Sequence, residues 1–101
     1  MTPTIGRILH YRLSKEEADK TNQRRADAKA NVEAMRADRP GFQAHAGNVV
    51  QASEVVPLIV VQVWPEDRVN GQALLDGNDS LWVLSAKEGD GPGTWAWPPR
   101  V

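Results

Sequence analysis

The chain has 101 residues, enough for one small domain, and its hydrophobic share of 41% and charged share of 25% are those of an ordinary globular protein. A formal charge of −1 excludes a global electrostatic signature for nucleic acid or membrane, and the absence of cysteine excludes disulfides and thiolate metal sites. The longest apolar run, residues 55–61, is broken by Pro57 and is too short to cross a bilayer; with no basic-then-apolar leader at the N-terminus, a soluble intracellular protein is expected.

Charge is unevenly spread. Residues 1–39 carry nine of the twelve Lys/Arg and a net of +3, while residues 40–101 carry −4. Opposite-signed parts of one chain attract each other, or attract copies of each other.

Residues 5–13 alternate as a strand, with Ile5, Leu9, Tyr11 and Leu13 on one face and Ile8, His10 and Arg12 on the other. Ser14-Lys15-Glu16-Glu17 is a capping box, which predicts a helix over residues 15–38, closed by Pro40-Gly41. Its apolar stripe is thin: Ala18, Ala28, Val32 and Met35, with Thr21 and Arg25 between them. So little apolar area suits a helix lying on one face of a sheet or against a second copy. Lys20/Arg24 and Arg25/Lys29 are like-charge pairs at i,i+4, each costing a few tenths of a kcal/mol.

Residues 42–51 are irregular, with a short strand expected at 42–46 or 48–51. Residues 56–64 form the most hydrophobic strand, dominated by β-branched side chains, with Ile59, Val61 and Val63 on one face and Leu58, Val60, Gln62 and Trp64 on the other. Residues 69–76 and 79–86 form a hairpin around Asp76-Gly77, a pair that suits the favoured two-residue turns. Val69, Ala73 and Leu75 share a face on its first arm, Leu81, Val83 and Ser85 on its second. A Gly-rich loop follows, and then a last strand at residues 94–97, stopped by Pro98-Pro99. The predicted fold is α+β: a small curled antiparallel sheet or SH3-like partly open barrel, with one helix inserted after the first strand, in a single domain of residues 1–101.

No catalytic or metal-binding set is predicted, and no cofactor. His10 and His45 lack further ligands at metal spacing, and Asp76 and Asp79 read as turn formers. Four tryptophans against one Phe and one Tyr is an unusual balance. As core filler each buries a large area; as a surface, Trp82, Trp95 and Trp97 could stack a planar base, at roughly 1–3 kcal/mol per base. Asn22, Arg24 and Arg25, with Lys20 and Lys29 one turn away, read either as a solvated helix face or as a phosphate clamp.

Together, residues 5–14 (Ile-Gly-Arg-Ile-Leu-His-Tyr-Arg-Leu-Ser), 21–28 (Thr-Asn-Gln-Arg-Arg-Ala-Asp-Ala), 45–48 (His-Ala-Gly-Asn), 74–82 (Leu-Leu-Asp-Gly-Asn-Asp-Ser-Leu-Trp) and 93–100 (Gly-Thr-Trp-Ala-Trp-Pro-Pro-Arg) resemble small proteins of actinobacterial tailed phages and prophages. Such phages encode oligomeric proteins that sequester cyclic nucleotide signals of host defence. By analogy with that class, the resemblance implies a non-enzymatic, cytoplasmic homo-oligomer that binds a nucleotide-type ligand through Asn22, Arg24, Arg25, Trp82, Trp95 and Trp97. The alternatives are a structural or protein-interaction module, with an exposed apolar patch around Trp64 and Trp97, and a small hydrolase using Asp76, Asp79 or His45. A double-stranded DNA role is not expected, because basic residues alternate with acids along most of the helix.

Overall fold

The computed structural model describes residues 2–35 and 47–99, with the backbone alone over 29–35. It contains β1 (Ile8–Arg12), α1 (Lys15–Met35), β2 (Val55–Trp64), β3 (Arg68–Leu74), β4 (Ser80–Ala86) and β5 (Trp95–Ala96). The five strands form one antiparallel sheet in the order β4-β3-β2-β1-β5, with the helix inserted after the first strand as expected. The expected helix end at 36–38 and the strand option at 42–46 lie outside the described residues.

In β1, Leu9 and Tyr11 point into the core and Ile8 points out, with Leu13 buried just beyond. Ile5 departs from the expected face: residues 4–7 make a turn, with Gly6 at φ 90° and Arg7 N–H donating to Thr4 O (3.1 Å), so the alternation begins only at Ile8. The capping box forms as predicted. Glu17 N–H donates to Ser14 Oγ (3.1 Å) and Ser14 N–H donates to Glu17 Oε1 (3.0 Å).

Tyr11 donates its hydroxyl to the same carboxylate, at 2.8 and 2.9 Å from its two oxygens. Burial, then this hydrogen bond and the Glu17 charge, push the phenol above its ordinary value near 10. The stability this neutral phenol contributes is complete below that ordinary value and is lost as pH rises through the higher folded one. As Tyr11 is the chain's one tyrosine, ultraviolet titration reads it alone. Phenolate absorbance is expected to stay absent where a free tyrosine is half ionised, and to rise together with alkaline unfolding.

Val56, Leu58 and Val60 of β2 face the core. A register shift between Val60 and Gln62 is a bulge that puts Val63, rather than Gln62, against the core. In β3, Val69, Gly71 and Ala73 are inward; a Cβ on Gly71 would lie 2.2 Å from Ile59 O, so the two strands pack together only with glycine there. A second shift, between Val69 and Gly71, changes the inward set on β4. Ser85 was expected inside but sits at φ 50°, turned out with its N–H on Asn70 Oδ1 (2.7 Å), and Ala86 takes the inward place.

The hairpin turn is also wider than a two-residue loop. Leu74 pairs with Ser80, leaving residues 75–79 as the connection, and Gly77 does not use positive φ. Leu75 keeps its expected place in the core with Val69 and Ala73, and Asp79, at the far side of the connection, turns inward. At the far end of the sheet Trp95 pairs with Tyr11, its N–H donates to Lys87 O (2.9 Å), and its carbonyl accepts from Gly89 N–H (2.9 Å). The chain beyond β4 thus curls back onto β5 through one parallel bridge, Glu88 with Trp95, without closing a barrel.

Candidate functional site

The cationic face of α1 meets the tip of the β3–β4 hairpin. Arg25 reaches Asp79 with two bonds, Nε to Oδ2 at 3.0 Å and Nη2 to Oδ1 at 2.6 Å, and also donates to the carbonyl oxygens of Asn48 and Asp76. Arg24 Nη2 adds a third bond to Asp79 Oδ2 at 3.0 Å. The Asp79 side chain is 1% exposed and that of Arg25 8%, so this pair is out of water. Hydrogen bonding from Arg25 holds the Asp79 carboxyl below the usual carboxylate range, against the opposing effect of burial, with Arg24 assisting. Asn22 binds both backbone groups of Val50, Nδ2 to the carbonyl at 2.8 Å and Oδ1 from the N–H at 2.9 Å. Residues 48–51 form no strand, and at Val50 a side chain takes the bonds a neighbouring strand would have taken. Gly47, bridged to Gly77, permits the approach, because a Cβ there would lie 2.3 Å from Asp76 O and 2.8 Å from Arg25 Cζ.

Asn22 and Arg25 thus spend their polar atoms on the fold, and the Arg24 side chain stays 38% exposed. Thr21 Oγ1 and Arg24 Nε are buried without a partner among the described residues.

The tryptophans lie elsewhere. Trp95 is 0% exposed and its Nε1 donates to Asp67 O (3.0 Å). Glu66 and Asp67 occupy the left-handed region (φ 65° and 56°), a costly conformation for non-glycine residues. Trp97 is half-buried, edge-on to Trp95 with centroids 5.6 Å apart, and carries the Arg7 guanidinium over its ring at 5.2 Å. Trp82 points outward from β4 beside Gln72. Asp67 precedes β3 and Asp79 precedes β4, so the indole pair and the Arg–Asp cluster sit at opposite ends of one hairpin, separated by the seven residues of β3, roughly 20 Å. Within one copy of the chain, the six residues singled out as a ligand site do not surround one cavity.

Two surface features were not legible as sites in the sequence. An open cleft of about 800 Å³ is lined by Arg7, Ile8, Asp67, Glu88, Trp97 and Pro98, together with Gly6. The outer sheet face carries an uncharged, largely apolar patch: register aligns Ile8, Ile59, Gln72 and Trp82 in one row across four strands, flanked by exposed Val61, Leu74 and Leu84. Strand alternation could have exposed the second feature, since residues 55–61, 70–74 and 80–84 contain no charge on either face.

No family model matches the chain, and comparison with curated proteins and with solved structures finds no match either. Among the described residues, no helix is long and apolar enough to cross a membrane.

Proposed function

We propose that this chain is a non-enzymatic structural and interaction module that assembles with copies of itself through the outer face of its sheet. The observation that carries this reading is the uncharged row that runs from Ile8 through Ile59 and Gln72 to Trp82 at the sheet edge, with Trp82 44% and Leu84 67% exposed. Contact surfaces are depleted of charge at their centre and enriched in tryptophan, and a contiguous apolar patch of several hundred Å² on a small protein marks such a surface. A second copy is the favoured occupant because a two-fold contact sets the same patch against itself, and the uncharged row at its middle meets no like-charge repulsion there, with Arg12 and Arg68 of the same face lying outside that row. In the tailed-phage setting that the sequence resemblance implies, such a module would serve as a virion accessory.

Capture of a nucleotide signal draws no support from the helix cations, because Arg25 and Asn22 are committed to Asp79 and Val50. Sedimentation velocity over a range of concentrations is expected to give a dimer. The double variant Trp82→Asp/Leu84→Lys is expected to sediment as a monomer with unchanged circular dichroism, since surface changes of this kind move stability little. A wild-type protein that stays monomeric at every concentration overturns self-assembly. Micromolar binding of a cyclic dinucleotide in calorimetry, where none is expected, would restore the sequestration reading.

A further inference from the structure

We propose that the cleft at Trp97 is a recognition site for a cationic side chain, a guanidinium or ammonium group on a basic peptide segment. A guanidinium already sits on the ring: Arg7 Cζ lies 5.2 Å from the Trp97 centroid. The ring is held for that role, because Trp95 packs edge-on against it at 88° and is itself anchored by Nε1 to Asp67 O. An indole face is the best aromatic platform for a cation.

The charges of the cleft decide which ligand fits. Asp67 and Glu88 line it, and neither carboxylate has an ion-pair partner among the described residues. With Arg7 in place the lining is net negative by one charge, and with Arg7 withdrawn by two. A phosphate would meet repulsion in either state, whereas a cation is attracted in both. His10 and Arg12 do not offset this, since they line a separate cleft of about 170 Å³ whose lining shares only Trp97.

Arg7 is built to give way. Its backbone is fixed, with its N–H on Thr4 O (3.1 Å) and its carbonyl accepting from Val60 N–H (2.9 Å), while its side chain is exposed and, among the described residues, held by the ring alone. The side chain can leave without disturbing β1. Arg7 is then a resident occupant that an incoming guanidinium replaces on the indole face.

The test is a titration of the isotopically labelled protein with a tetra-arginine peptide, following the four indole N–H signals, with that of Trp97 assigned by Trp97→Phe. A saturable shift confined to the Trp97 signal is expected. Arg7→Ala is expected to tighten binding by about two- to fivefold, the value of the exposed cation–π contact it removes. Asp67→Asn/Glu88→Gln is expected to weaken binding by about tenfold. Asn tolerates the left-handed backbone at position 67, and an unmoved Trp95 signal in that variant reports an intact core. The proposal is overturned by absence of a Trp97 shift with the arginine peptide, by equal affinity in the carboxamide variant, or by tighter binding of adenosine monophosphate at the same signal.

Discussion

Asp79→Ala is expected to cost about 3–5 kcal/mol of stability, because it leaves the Arg25 guanidinium buried without a counter-charge. The loss is far larger than the exposed ion pairs Lys15–Asp19 and Lys20–Glu16 supply, since these lie on the solvated face of α1 where water screens them. Arg25→Met/Asp79→Leu, which removes both charges, is expected to lose much less than Asp79→Ala alone. Urea midpoints of the three proteins check the order. The same carboxylate sets an acid limb. Its proton affinity is lower in the folded chain than in the unfolded one, so its contribution is complete above about pH 4 and is lost as pH falls through the lower folded value. In Asp79→Ala that part of the limb should vanish, and a midpoint-against-pH curve unchanged by the substitution would contradict the assignment.

Trp95→Ala is expected to cost about 3–5 kcal/mol, the range for a fully buried large aromatic side chain. Three interactions go together: the core packing, the bond from Nε1 to Asp67 O, and the edge contact with Trp97. Trp95→Phe separates them. It keeps most of the apolar volume but leaves the Asp67 carbonyl without its donor, an expected loss of about 1–3 kcal/mol. Trp82→Phe, on the outer face, should move the thermal midpoint little. A calorimetric series over these variants reads the ranking directly.

Much of the architecture follows from local rules that the sequence displays openly. Ser14 and Glu17 announce the helix start because capping is a contact across three residues, and Leu9, Tyr11, Leu58, Val60, Val69 and Ala73 announce their strands by alternation. The errors lie where a distant partner overrides a local pattern. Ser85 and Val63 change faces at bulges, whose position depends on two strands at once. The Asp76-Gly77 turn opens to five residues because Asp79 is drawn to Arg25, 54 residues away in sequence. The candidate ligand residues are parted within one copy of the chain for the same reason. Adjacent Arg24 and Arg25 on an apolar-poor stripe did signal a missing counter-charge; Asp79 supplied it from inside the chain, where a ligand had been expected. Arg7 carried no motif and finds its place over Trp97 only in the folded chain; the uncharged strands hinted at the outer sheet patch, but the row of Ile8, Ile59, Gln72 and Trp82 needs the register to assemble it.

Because the helix staple at Asp79 and the indole pair above Asp67 sit past opposite ends of β3, they are farther apart than the 7–10 Å over which substitutions typically couple. Damage at one pole should therefore sum with damage at the other. Either pole can drift through neutral change without obliging its counterpart to follow, so long as the ribbon between them keeps its pairing.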